Sequence, residues 1–380
     1  LGIAFGMLVN TFTSSLFGAH LIKEFGWARS DFALIGIFAV VLFLVLPITG
    51  RITDMFGVRV AAGIGIFLTP LTFYAQSQMN GDIRVFFAIN FVQMLIMSFT
   101  TSTVYNRVVA DRFINARGIA FAIVMMGAPL AGAIIAPWLG DFIDLHGWRS
   151  GYLAMGAICF FFGLIALFLL PPVGPRTPRP SNLRADFALV SHSKPFWLLA
   201  GGMWLINLPQ ALGASQLMIM LADQGISLKA AGFLSVYPLG VILGRLVFGG
   251  ALDRLPPHIV GGIGLALPAV GFAILASSYD APMVIAFSVL LMGLAQGAEG
   301  DVAAFLVGRH FPLGIFASVN GLIGGFTALG SALGSLLLVV MLKHTDTFTA
   351  FLLFSVGVTI VGSILIALVG GGRKEIIEHV

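Results

Sequence analysis

The chain has 380 residues, of which 58% are apolar and 9% charged, with 47 glycines and 34 phenylalanines. No soluble core can hide that much apolar surface, so composition places the chain in a bilayer as an all-α membrane protein. The net charge of +4 comes from basic residues scattered over turns, without a contiguous basic face; this excludes nucleic acid as a partner and leaves membrane lipids as the counter-charge.

Runs of about 20 apolar residues, the length that crosses a bilayer, fall at residues 1–22, 31–50, 58–78, 84–108, 117–138, 150–171, 196–221, 229–250, 258–277, 281–307, 314–342 and 348–371. Twelve transmembrane helices are therefore expected, with both termini on one side. The one long polar segment, residues 172–195, is rich in proline and arginine and reads as a linker. It separates a six-helix half, 1–171, from a second, 196–380. Loops on the linker side carry thirteen lysines and arginines and the opposite loops six, which predicts a cytoplasmic linker and cytoplasmic termini. A bacterial inner membrane is the expected location, and the protein is expected to act as a monomer.

The two halves repeat. Gly50 and Asp54 match Gly249 and Asp253 at an offset of 199. Arg112-Phe113 matches His310-Phe311 at 198, as Gly127 and Gly132 match Gly325 and Gly330. Internal repeats of this kind mark secondary transporters, whose site lies near the midplane where pseudo-symmetric halves meet. Within the repeat, glycine lets helices approach closely, and an aspartate at a helix end can accept hydrogen bonds from the N-terminus of another helix. Gly50, Asp54 and Arg59, Gly249, Asp253 and Arg254, together with Arg107, are thus expected to form a gate on the linker side.

The run Gly50-Arg51-Ile-Thr-Asp54-Met-Phe-Gly57-Val-Arg59 resembles the cytoplasmic loop motif of the major facilitator superfamily, and Gly249 to Arg254 resembles its weaker second copy. Four further stretches are similar to the monocarboxylate and oxalate/formate porters of that superfamily. They are Glu24 to Ser30, Arg112 to Gly118, His146 to Arg149, and Asp223 to Ser227 followed by Gly244-Arg245. The resemblance implies the major facilitator fold and proton-coupled symport of a small organic monocarboxylate by alternating access.

Arg245 stands inside the eighth apolar run. A buried arginine persists in lipid only where it meets a partner, water or substrate. The resemblance implies that it binds the substrate carboxylate, and its fork suits two charge-assisted hydrogen bonds. Those porters that carry an aspartate four residues earlier have a built-in counter-ion; here that position is Val241. Glu299 and Asp301 in the tenth run are the candidate partners and proton carriers. Two residues apart on a helix they diverge by about 200°, so Glu299 is expected in the cavity and Asp301 against Arg107 or Arg309. Asn10, Thr13, Tyr105, Asn207, Gln210, Gln216 and Gln296 are the uncharged groups expected around the substrate, with interhelical hydrogen bonding as their competing role. Pro209 is expected to interrupt the seventh helix.

Neither a cofactor nor a metal is expected. Cys159 is the single cysteine and lies in an apolar run, and the seven histidines lack metal-ligand spacing. No nucleophile elbow or phosphate-binding loop occurs in a suitable context, so the chain does not read as an enzyme. The alternative within transport is proton-antiport efflux of a hydrophobic or amphipathic compound, for which embedded acids and many phenylalanines would suit a cation.

Overall fold

A computed structural model describes residues 1–27, 39–114, 116–170, 183–210, 212, 220, 231–277, 281–345 and 347–371. In chain order the α-helices are α1 (Met7–Phe25), α2 (Ala39–Phe56), α3 (Val58–Ser77), α4 (Ile83–Met97), α5 (Ser102–Arg112), α6 (Arg117–Leu169) and α7 (Leu183–Ser191). They continue as α8 (Lys194–Asn207), α9 (Ala231–Leu252), α10 (Pro257–Leu275), α11 (Pro282–His310), α12 (Phe316–Thr345) and α13 (Thr349–Leu368). No strand occurs among the described residues. Seven of the described helical stretches are long and apolar enough to cross a membrane.

Helix boundaries follow local chemistry. Asp82 caps α4 by accepting from Arg84 N at 2.8 Å, and Ser193 caps α8 ahead of Pro195 in its first turn. Between the fifth and sixth apolar runs the chain stays helical except for a break within α6, where Gly147 adopts φ 82° and ψ 157°. Gly57, at φ 87°, is the single residue between α2 and α3. Both conformations are strained for any residue with a Cβ. The fourth predicted span is α4 and α5 joined by a 3-10 turn at Ser98–Thr100. Helix α8 ends at Asn207, and the Leu212 N–H donates to the Pro209 carbonyl at 2.9 Å. Part of the expected linker, residues 172–195, is helical, as α7.

The chain divides into two compact units. Unit 1 comprises Leu1–Val109, Val124–Ser181 and Gly314–Gly321; unit 2 comprises Ala110–Ile123, Asn182–Leu313 and Leu322–Val380. The core of unit 1 is aromatic: Phe17 stacks on Tyr152 at 3.9 Å, and Phe73, Phe86, Leu139, Met155 and Cys159 surround them. At one end of this unit, Trp148 donates to Glu24, Arg149 bonds Glu24 at 2.8 Å and Met79 O at 3.2 Å, and Trp27 donates to Gly81 O at 2.8 Å. These bonds tie the end of α1, the turn after α3 and the break in α6 together.

In unit 2 the seam between α9 and α11 is built on glycine. A Cβ on Gly244 would collide with the Leu294 carbonyl, one on Gly293 with the Tyr237 carbonyl, and one on Gly297 with the Val241 carbonyl. Among lipid tails there is little hydrophobic drive to join helices, so association relies on such backbone approach. The exposed side chains of Leu44, Phe67, Leu71, Ile134, Phe168 and Leu353 are what a lipid-facing surface requires.

Candidate functional site

The glycine seam decides which charges meet. It brings α9 and α11 backbone to backbone, and Arg245 Nη1 reaches Asp301 Oδ1 at 3.2 Å. Arg245 is 8% exposed and Asp301 0%. The expected contact of Asp301 with Arg107 or Arg309 is therefore corrected: its partner is Arg245, because sequence spacing fixes a face of α11 but not which helix abuts it. The pair is incompletely satisfied. Arg245 Nε and Asp301 Oδ2 are buried and have no hydrogen-bond partner among the described residues.

Glu299 points elsewhere, as its spacing from Asp301 requires. Its Oε1 accepts from Asn207 Nδ2 at 2.7 Å, the same amide donates to Met203 O at 2.9 Å, and Ser331 Oγ donates to Asn207 Oδ1 at 3.4 Å. One turn away, Gln210 donates to Gln296. A narrow cleft within unit 2 is lined by Pro209 and Gln210 after α8, Tyr237 of α9, Leu265, Pro268 and Phe272 of α10, and Met292, Ala295, Gln296 and Glu299 of α11. Neither Arg245 nor Asp301 belongs to its lining.

The repeated aspartates cap helices. Within unit 1, Asp54 accepts from Ala317 N at 3.2 Å, Ser318 N at 2.7 Å and Ser318 Oγ at 2.6 Å at the start of α12. Arg107 completes the site by bonding both Asp54 and the Thr53 carbonyl. Within unit 2, Asp253 accepts from Gly118 N at 2.6 Å and Ile119 N at 3.0 Å at the start of α6. The glycines allow this approach: a Cβ on Gly50 would collide with the Ala317 carbonyl, and one on Gly249 would stand 2.8 Å from Ala122 Cβ. Each carboxylate thus meets N–H groups that a helix start leaves unpaired, at the positive end of its dipole.

The family model of the Major Facilitator Superfamily matches residues 1–335. The chain belongs to the Major Facilitator Superfamily. Monocarboxylate transporter 11 of Homo sapiens is 24% identical over 383 aligned residues, covering 96% of this chain and 79% of that protein. Monocarboxylate transporter 4 of Mus musculus is 25% identical over 330, covering 81% and 68%. Among solved structures, the fucose:proton symporter of E. coli superposes with a TM-score of 0.77 at 14% identity, covering 98% of both chains, a likeness of fold. As a member of this superfamily the protein is an integral, multi-pass membrane transporter of the twelve-helix, two-half architecture, and not an enzyme.

The remaining candidate residues of this superfamily member are scattered. Thr13 is buried and donates to Val9 O at 3.0 Å, a bond within its own helix; Asn10 is half-buried beside it. Tyr105 is packed among Ile3, Val58, Ala61 and Ala62, and its hydroxyl has no partner among the described residues. Arg59 and Arg254 are exposed. Gln216 lies outside the described residues. Sequence reasoning missed Tyr237, Ser318 and Ser331. It also missed Arg117, whose guanidinium donates to the carbonyls of Phe113 at 2.9 Å, Ala110 at 3.1 Å and Gly308 at 3.4 Å. Three carbonyls near helix C-termini form a natural arginine site, but carbonyls leave no trace in a sequence.

Proposed function

We propose that this protein is a proton-coupled symporter of a small organic monocarboxylate, working by alternating access between halves 1–171 and 196–380, with the linker and termini cytoplasmic and in a bacterial inner membrane. The observation that carries this reading is the buried Arg245 whose Nε has no partner among the described residues while Nη1 holds Asp301. A guanidinium keeps its charge, so its unpaired Nε–H is a standing donor for a carboxylate. Relatives named monocarboxylate transporters supply the substrate class.

Charge balance supplies the coupling. With Asp301 and Glu299 both ionised, Arg245 leaves the group at a net single negative charge, and an arriving anion would double it in a medium that penalises buried net charge. A proton taken up on Glu299 offsets that charge, so acid and proton enter together; Asp301 is the alternative carrier. Asn207 positions Glu299 through its hydrogen bond, Gln210 and Gln296 bond each other in the cleft beside Glu299, and Asn10, Thr13 and Gln216 contribute to the acid's surroundings from the other predicted cavity helices. Gly50, Asp54, Arg59, Arg107, Gly249, Asp253 and Arg254 act as the cytoplasmic gate.

In proteoliposomes Arg245→Gln abolishes uptake of short organic acids, and wild-type rates in that variant would end the proposal. Glu299→Gln keeps exchange of labelled for unlabelled acid but loses accumulation driven by a pH gradient; retained accumulation would move the proton to Asp301. The same vesicles separate this reading from efflux of cations, since protection of the protein from thermal unfolding by lipophilic amines and not by carboxylates would favour the latter.

A further inference from the structure

We propose that the proton reaches Glu299 through the cleft enclosed by α8, α9, α10 and α11, a route that does not pass the Arg245–Asp301 pair. This rests on the reading above that Glu299 carries the proton. The cleft is lined by Glu299 and excludes Arg245 and Asp301 from its walls, so the acid has an approach of its own within unit 2.

The walls suit protons and little else. Leu265, Pro268, Phe272 and Met292 are apolar, and the cleft is wide enough for a few water molecules rather than for an organic acid. Polar atoms along it come from Tyr237, Gln210 and Gln296, which can hold water in hydrogen-bonding order. Among the described residues no basic side chain lines it, so no cation in its walls repels an incoming proton or waits there for a carboxylate. Around Glu299 the facing groups are Asn207 from α8, Tyr237 from α9, and Arg245 across the seam; α10 presents only apolar side chains to the cleft. Asn207 occupies Oε1. The transfer itself is simple: hydronium in the cleft gives its proton to a Glu299 oxygen, one O–H bond to water breaks and one to the carboxyl forms. Substrate and proton thus meet the same charge group from different directions, which lets each bind without displacing the other.

Blocking the cleft should therefore separate coupling from substrate binding. Ala295→Cys and, independently, Met292→Cys are placed in a Cys159→Ala background, reconstituted, and treated with methyl methanethiosulfonate. Under an inward gradient of about one pH unit, one-to-one symport accumulates acid about tenfold. Modification is expected to bring that ratio close to one while exchange of labelled for unlabelled acid at equal pH continues. The route is refuted if neither cysteine reacts, if accumulation survives modification, or if exchange falls in parallel. Glu299→Gln run in the same assays distinguishes the two layers of inference. Accumulation retained there refutes the proton role itself, whereas accumulation lost in Glu299→Gln but retained in both modified cysteine variants refutes only the cleft.

Discussion

The two repeated aspartates perform the same task on different charge. Asp54 and Asp253 each hold two successive N–H groups at the start of a distant helix. Asp54 adds a hydroxyl from Ser318 and a guanidinium from Arg107. Near Asp253, the guanidinium of Arg117 turns instead to carbonyls. The position 198 residues beyond Arg107 is Phe305, so the cation is not repeated. The glycine-to-aspartate frame carries backbone geometry in both places, and the unrepeated cations carry what differs. Arg245 is the extreme case, since the matched residue in the first half is Leu46.

The largest way to break this contrast is at the most asymmetric charge. Arg245→Gln strands Asp301 in the interior and is expected to cost about 3–5 kcal/mol of stability, as loss of one partner of a buried pair does. Thermal unfolding in detergent measures it. Adding Asp301→Asn should recover most of the stability and none of the transport, which separates folding from function. A smaller effect distinguishes the two caps. Asp54→Asn loses charged hydrogen bonds and the Arg107 pair, for an expected loss of about 2–3 kcal/mol, whereas Asp253→Asn behaves as a weakened helix cap at about 1 kcal/mol. Equal losses would show that the cation adds nothing.

The smallest effect concerns the far end of unit 1. Hydrogen bonds from Trp148 and then from Arg149 hold the Glu24 carboxyl below its usual range. A carboxylate with a depressed folded-state value stabilises above its unfolded value, and that contribution disappears as pH falls through the folded one. The unfolding midpoint of Glu24→Gln should therefore lie slightly below wild type at neutral pH and converge with it in acid. A gap that persists below the carboxylate range would mean that Glu24 acts by packing.

The frame was more legible in the sequence than the site. Apolar runs gave the helices, and the Gly-to-Asp spacing gave both caps, because each is a local pattern with a local cause. The Arg245–Asp301 pair was not readable in the same way. Helical spacing says that Asp301 and Glu299 diverge, as they do, but the choice of partner depends on which helices touch. That choice is written in Gly240, Gly244, Gly293 and Gly297, pairs of glycines four apart on two helices, whose partnership becomes visible only when α9 and α11 are laid together. Tyr105 shows the opposite failure: a polar handle on an expected cavity helix turns into an apolar cluster, since a tyrosine ring satisfies either environment.

The glycine seam also bears on how the protein can move. Where carbonyls and α-carbons touch directly, there are no long side chains to bend or change rotamer, so α9 and α11 behave as one stiff strut. The spacing of Arg245 and Asp301 is then a constant of the transport cycle, set at folding. The buried ion pair becomes a material property of that strut, carried through whatever motion the transporter makes.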